Sequence, residues 1–244
     1  MRNVHASALL TGALTLAASI AVFAQAPAGK APAAGDGSRA IAGGGIQNAP
    51  GWTGKVDANE AARGMTVDNA KFVKEGNTFK ITTGPAITYW NPADKASGDY
   101  TVKATFTEPK YMNLNTHPHP YGIVVGGNDM GTPNQTELYC AAYGNGNFIV
   151  RGFGPDAFQL NGRAGASNPA VHKAAGVGQP VSQDIAISVK GGKASCIING
   201  TTVASYDQSE VVGSGKLKSL DGIYGLRFAH NTEVEVIGFQ MTKN

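Results

Sequence analysis

Apolar and polar residues alternate along most of the chain beyond residue 77, which is the pattern of half-buried β-strands. The segment DYTVKATFTE shows it clearly, because Tyr100, Val102, Ala104 and Phe106 fall on one face with polar residues between them. Further strands are predicted in NTFKITT, AITYWN, YGIVVGG, TELYCAAYG, NFIVRGFG, GIYGLRFA and TEVEVIGFQMTKN. Helical periodicity is nearly absent, apart from one turn predicted around DQSEVV.

Turn residues separate these strands at short intervals. In DIAISVKGGKASCIINGTTVAS, three strands are joined by Gly191-Gly192 and Asn199-Gly200, pairs that accept the positive φ angles of two-residue hairpins. The 33 glycines and 12 prolines of the 244-residue chain suit many short elements and tight turns. About ten short strands at this spacing predict an all-β fold, a two-sheet antiparallel jelly-roll sandwich.

The N-terminal region differs in composition from the rest of the chain. Arg2, the apolar run ASALLTGALTLAASIAVF and small residues before Ala24 predict a signal peptide over residues 1–24. An uncleaved membrane anchor is the alternative, since the run is nearly long enough to span a bilayer. Residues 25–45, rich in Ala, Gly and Pro, are predicted to be a flexible leader, and residues 46–244 the β-sandwich domain. A periplasmic or secreted location follows.

Charge and cysteine content narrow the possible functions further. The formal net charge is only +3 and its basic residues are scattered, which excludes a nucleic-acid-binding face. Loss of Arg2 with the signal peptide lowers that charge to +2, and no membrane span remains after cleavage. In an exported chain Cys140 and Cys196 can form a disulfide, although two buried thiols are an equal alternative.

The order of several segments resembles a known superfamily. These segments are FVKEGNTFKITTGPAITYW, GDYTVKATF, HPYGIVVGG, ISVKGGKASCIINGTTVAS and GIYGLRFAHNTEVEVIGFQM. They are similar to the concanavalin A-like jelly rolls of exported bacterial proteins, in particular to the 3-keto-disaccharide hydrolase domain family. The resemblance covers roughly Gly51 to Lys243 and implies a carbohydrate ligand that is either bound or cleaved. The Glu-x-Asp-x-x-Glu strand of laminarinase-type glucanases is missing, since EVEV with Glu233 and Glu235 lacks the aspartate.

Glu137 is the strongest single candidate for a catalytic acid. In TELYCAAY it shares a strand face with Tyr139, Ala141 and Tyr143. The rings of the two tyrosines suit stacking on sugar. No second carboxylate stands at a matching position, although glycosidases need two. A solvated surface glutamate is therefore the plainer interpretation. Trp90 and Arg151 are further candidates for ligand contact, although most aromatic side chains fill cores.

The stretch NTHPHPYGIVVGGNDM places His117 and His119 between prolines before a predicted strand. Two histidines are too few for a zinc site, and His172 or His230 could complete one only through folding. No metal site is predicted, and the histidines are interpreted as the rim of a rigid binding loop. The adjoining loop offers oxygen donors for calcium, although the same residue types are common in turns. These donors are Asn128, Asp129, Asn134 and Glu137.

Together these features predict an exported carbohydrate-binding β-sandwich that does not cleave its ligand, with no cofactor. The predicted contacts are Trp90, His117, His119, Glu137, Tyr139 and Arg151. A glycoside hydrolase with Glu137 or a histidine as acid/base is the first alternative. A structural domain of the cell envelope without a small ligand is the second.

Overall fold

The computed structural model describes Met1 and residues 37–244, and its strands belong to the compact unit Ala34–Asn244. The predicted signal peptide beyond Met1 and most of the predicted leader lie outside the described residues. The strands are β1 (Gly45–Gln47), β2 (Thr53–Val56), β3 (Lys71–Glu75), β4 (Thr78–Thr82), β5 (Ile87–Ala96), β6 (Tyr100–Glu108), β7 (Tyr121–Asn128), β8 (Thr136–Ala142), β9 (Asn147–Phe153), β10 (Ala157–Gln159), β11 (Ala166–Ser167), β12 (Val181–Lys190), β13 (Lys193–Ile198), β14 (Thr201–Asp207), β15 (Gly222–Phe228) and β16 (Glu233–Lys243). The helices are α1 (Ala58–Ala61), a 3₁₀ turn (Val67–Asn69) and α2 (Gln208–Val211).

These strands form two stacked sheets, as predicted. The back sheet has the order β1-β3-β4-β16-β6-β12-β13-β14. The front sheet has the order β10-β9-β8-β7-β15-β5-β2, and β11 also pairs with β9. All pairings are antiparallel except that of β1 with β3. The fold is therefore an antiparallel two-sheet sandwich.

The core lies between the two sheets and follows from the alternation in the sequence. In β6 the predicted inward residues are buried, while Lys103 on the other face is exposed. Apolar residues of the front sheet, such as Ile123 and Phe228, meet this layer from the opposite side. The two-residue turns are also confirmed, since Asn199 and Gly200 have φ of 49° and 79° and connect paired residues of β13 and β14.

A disulfide joins the two sheets through the core. Cys140 on β8 and Cys196 on β13 are bonded, with Cα atoms 5.6 Å apart. Of the two alternatives that the sequence left open for the cysteines, the structure has the disulfide. The bond closes a loop across 56 residues and so restricts the unfolded chain.

The described end of the predicted leader is attached to the sandwich. The backbone N–H of Ile41 donates to the Asn69 carbonyl at 3.1 Å, and that of Arg39 donates to the Asn231 side chain at 3.0 Å. Strand β1 begins at Gly45, one residue before the predicted start of the domain. None of the described helices is long and apolar enough to cross a membrane.

Candidate functional site

A cavity of about 760 Å³ lies on the outer face of the front sheet, within the size range of small-molecule sites. Strand β8 shows why the cavity lies on this face. Leu138 and Cys140 point into the core, so Glu137, which precedes Leu138, points outward and lines the cavity. The walls come from β2, helix α1, the loop before β8 and the chain after β9. Apolar side chains, including Met65 and Phe153, line part of them.

A connected network of buried polar groups lies at the cavity floor, where Asp57, Thr88, Gln135 and Glu137 line the space, while Arg227 lies outside the lining and links Asp57 to Thr88. The Arg227 guanidinium donates two hydrogen bonds to the Asp57 carboxylate, each 2.5 Å long. Arg227 Nη1 also lies 3.2 Å from Thr88 Oγ1, whose hydroxyl donates to Glu137 Oε1 at 2.7 Å. Gln135 Nε2 donates to Glu137 Oε2 at 2.8 Å. Each oxygen of Glu137 therefore has a donor, and the network fixes the orientation of its carboxyl group.

Register in the sheet brings these residues together. Strand β15 lies beside β5, and Arg227 pairs directly with Thr88. Strand β5 also pairs with β2, which ends one residue before Asp57. Asp57 then leads into α1, so its carboxylate sits where the chain leaves the sheet. Residues 170 positions apart in sequence thus form one ion pair.

Burial sets the electrostatics of the network. Removal of Glu137 from water raises the pKa of its carboxyl group, and the nearby Arg227 charge and the Thr88 hydrogen bond oppose that rise. Burial also acts to lower the pKa of Arg227, but the charge and hydrogen bonds of Asp57 outweigh it and raise the pKa. The arginine is therefore cationic, while the glutamate has an increased tendency to keep its proton. A carboxyl group of this kind can donate a hydrogen bond or a proton.

Two aromatic rings lie close to the Arg227 guanidinium. The Arg227 guanidinium lies 5.5 Å from the ring centre of Tyr139 and 5.4 Å from that of Phe153. Tyr139 is only 3% exposed and packs with Val124, Ala141 and Ile149 in an apolar cluster on the outer face of the front sheet. The Tyr139 ring thus positions Arg227 and offers little surface to a ligand, whereas Phe153 lines the cavity.

Two other predicted contact residues lie outside the lining of the cavity. Trp90 is 4% exposed, and its ring packs beneath the loop at Gly131. Arg151 pairs with Tyr139 across the strands, is half-buried and donates from Nε to Gln159 Oε1 at 3.0 Å. Of the six predicted contacts, the cavity lining includes Glu137 alone.

The two predicted histidines lie together at another position, beside helix α1. His117 and His119 meet His230, and the His230 ring lies 3.3 Å from the Glu60 carboxylate. Helix α1 separates this histidine cluster from the cavity, because its residues Asn59 and Ala61 line the cavity while Glu60 faces His230. Of the two further histidines that could join His117 and His119, the fold therefore brings in His230 and not His172.

Apart from Glu137, the residues considered for calcium or glucanase chemistry lie outside the lining of the cavity. Asp129 pairs with Lys218, and Asn128 donates to the Asp221 carbonyl at 3.0 Å. Glu233 and Glu235 lie on β16 of the back sheet. Within the described part of the chain, the group of three or more His, Cys, Asp or Glu close enough to hold a metal is the histidine cluster.

Sequence reasoning missed Asp57, Thr88, Gln135 and Arg227. Arg227 lies between Leu226 and Phe228 in a predicted strand, and alternation alone does not distinguish it from a solvated strand residue. Asp57 precedes a helix of four residues, which is too short to give a periodic signal. These polar residues come together only because strands that are distant in sequence pair in the front sheet.

Comparisons with known proteins support the fold. No protein-family model and no curated protein sequence matches the chain. Carbohydrate binding module CBM66 from Bacillus subtilis has a TM-score of 0.53 at 8% identity, covering 81% of this chain and 98% of its own. A Bacillus subtilis protein of unknown function with a galectin-like fold has 0.51 at 10%, covering 79% and 89%. The endo-beta-1,3-glucanase of Pyrococcus furiosus has 0.46 at 13%, covering 81% and 90%. The predicted two-sheet jelly-roll fold is confirmed, and the chain shares it with this carbohydrate binding module and with the galectin-like protein.

Proposed function

We propose that this chain is an exported carbohydrate-binding protein whose ligand site is the cavity on the front sheet. The observation that carries the proposal is the network of Arg227, Asp57 and Glu137 at the floor of a partly apolar cavity. Sugars present hydroxyl groups at their edges and C–H groups on their faces. A site with fixed charged donors and acceptors below apolar walls matches both kinds of surface.

The composition of the cavity supports an uncharged ligand. Arg227 already has a carboxylate partner in Asp57, so it does not require an anionic ligand to balance its charge. Lys55 and Asp156, of opposite charge, lie at the cavity wall. Phe153 offers part of an aromatic ring to the space. Such a lining favours hydroxyl-rich ligands over phosphates or carboxylates.

One variant and one control test the site. Native electrophoresis through gels that contain individual polysaccharides reports binding as retardation. Phe153→Ala is expected to reduce retardation because it removes apolar contact area from the wall, while Glu235→Gln on the back sheet should leave it unchanged. Equal retardation of all three proteins would place the sugar elsewhere. A panel of soluble oligosaccharides, measured by calorimetry, extends the test to short ligands, and failure in both assays would refute the proposal.

A second function, hydrolysis of a glycoside, is favoured by one specific observation. Glu137, with its raised pKa, and the Asp57 carboxylate line the same cavity, and glycosidases use two carboxyl groups. Under this alternative Glu137 donates the proton to the leaving group. Clearing of polysaccharide around the protein band, lost in Glu137→Gln with binding retained, would replace the binding function with hydrolysis. The resemblance of the sequence segments to the 3-keto-disaccharide hydrolase domain family, which no family model supports, would accord with this alternative.

A further inference from the structure

The three clustered histidines come from two segments that the front sheet brings side by side. His117 and His119 lie in the loop that leads into β7, and His230 lies in the turn that follows β15. Strands β7 and β15 are antiparallel neighbours, with Tyr121 opposite Phe228. The start of one strand therefore meets the end of the other, and the histidines come together across more than 100 residues of sequence.

The Nε2 atoms of the three rings point toward one another. His119 Nε2 lies 2.8 Å from His117 Nε2 and 3.0 Å from His230 Nε2. One ligand atom from each residue falls within 4.8 Å of the others. Two nitrogens bound to one tetrahedral zinc ion at 2.0–2.1 Å would be about 3.3 Å apart. The two separations from His119 are about 0.3–0.5 Å shorter than that value, and the ligand atoms of His117 and His230 lie within 4.8 Å of each other, so movements of the rings would admit an ion.

The opposite nitrogens of two of the rings are held by hydrogen-bond acceptors. His119 Nδ1 lies 2.5 Å from the carbonyl oxygen of His230, and His230 Nδ1 lies 3.3 Å from Glu60 Oε1. A carbonyl and a carboxylate oxygen accept hydrogen bonds, so each Nδ1 carries the proton. In the neutral rings Nε2 then holds a lone pair. Histidines that ligate metals are oriented in this way, by a carbonyl or carboxylate that accepts a hydrogen bond from the other ring nitrogen.

This arrangement makes the space between the rings attractive to a cation. In the neutral tautomers, the lone pairs of His119 and His230 face each other at 3.0 Å, which is repulsive unless a positive charge lies between them. Glu60, 4% exposed, adds a negative charge behind His230, and the backbone N–H of Ala86 and the hydroxyl of Ser38 hold that carboxylate. Imidazole nitrogens favour zinc and its neighbours over calcium or magnesium.

We propose that His117, His119 and His230 bind a divalent transition metal of the zinc class through their Nε2 atoms. Three histidines are a recognised zinc ligand set, in which a water or substrate atom takes the fourth position. Glu60 and the His230 carbonyl orient the rings of His230 and His119 by accepting hydrogen bonds from their Nδ1 atoms. The site is spatially separate from the proposed sugar cavity, because none of the three histidines lines that cavity.

The test uses the protein expressed from the full sequence, purified without a histidine tag and treated with a chelator. Zinc affinity is measured by competition with a chromophoric chelator, and cobalt substitution is followed by visible absorption. The expected result is one bound zinc ion per chain and a cobalt spectrum typical of tetrahedral coordination. His117→Gln removes a ligand from an exposed position, so the fold should persist. The zinc affinity should fall by more than the roughly 10–100-fold expected when a group that only orients a ligand is lost.

Matched variants distinguish this site from binding elsewhere. His172→Gln is the control, because His172 bonds to the Ser182 carbonyl and lies outside the histidine cluster. It should bind zinc as the unchanged protein does. Glu60→Gln keeps all three ligands and should weaken binding by roughly 10–100-fold. Absence of zinc binding by the unchanged protein would overturn the proposal. Equal affinity of the unchanged protein and folded His117→Gln, verified by circular dichroism, would do the same.

Discussion

Glu108 is expected to make the stability of the fold depend on pH. This residue ends β6 and is 5% exposed, and its Oε1 accepts a hydrogen bond from the Met112 backbone N–H at 2.9 Å. Its other oxygen is buried without a hydrogen-bond partner in the described structure, as is the Tyr121 hydroxyl. Burial raises the pKa of Glu108 from 4.5 to about 7, the Met112 hydrogen bond opposes the rise, and the Glu233 charge adds to it.

The direction and size of the effect follow from proton linkage. Because the folded protein holds this proton more tightly than the unfolded chain, the free energy of unfolding falls as pH rises from about 4.5 to about 7. A shift of this size corresponds to about 3 kcal/mol at most, since one pKa unit is about 1.4 kcal/mol. Below the lower value Glu108 is neutral in both states and contributes no penalty. Above the higher value the full penalty remains.

Glu108→Gln isolates this contribution. Glutamine can still accept the Met112 hydrogen bond but carries no charge. Urea unfolding at a series of pH values from 4 to 8 should show that the variant gains stability relative to the unchanged protein as pH rises, by about 3 kcal/mol over the whole range. Glu235→Gln, exposed on β16, should show no such trend. A difference between Glu108→Gln and the unchanged protein that stays constant with pH would refute the reasoning.

Other variants test the disulfide, the ion pair and the proposed metal. Replacing both Cys140 and Cys196 with alanine should lower the free energy of unfolding by about 4 kcal/mol, as expected for a closed loop of this length, and urea denaturation would measure it. Asp57→Asn should cost about 3–5 kcal/mol because it leaves the Arg227 charge buried without its ion-pair partner, whereas a loss below 1 kcal/mol would contradict that. Zinc at 100 times its dissociation constant should stabilise the fold by about 2.7 kcal/mol in thermal unfolding, and His117→Gln at the same zinc concentration should not respond.

The sequence was informative where a strand buries one face. Alternation placed β6 and the hairpins around β13 correctly, because core burial selects apolar residues at every second position. It was less informative for the short strands β1, β2, β10 and β11, which span only two to four residues. In β7 and β8 both faces are covered, so the outward residues of β8 are as buried as the inward ones.

The candidate site was predicted only in part, for a related reason. Glu137 shares a face of β8 with Tyr139, as predicted, but the plainer interpretation of a solvated surface glutamate is wrong, because Glu137 is only 1% exposed. The partners of that carboxyl group come from β5, β15 and the loop before β8, and their pairing is a property of the sheet order. No local pattern distinguishes Arg227 from a solvated strand residue, because its partner Asp57 is 170 positions away. Periodicity reports the face of a residue, but not its neighbours on that face.

Helix α1 connects the two proposed sites physically. It has four residues, far fewer than an isolated helix needs for stability, so side-chain contacts must hold it in place. Asp57, which lines the cavity, fixes its beginning through Arg227, and Glu60 fixes its end through His230 and the Ala86 backbone. A metal ion at the histidines and a sugar in the cavity would therefore act on the same turn of chain. Linkage then requires that any change zinc makes in sugar affinity equals the change sugar makes in zinc affinity.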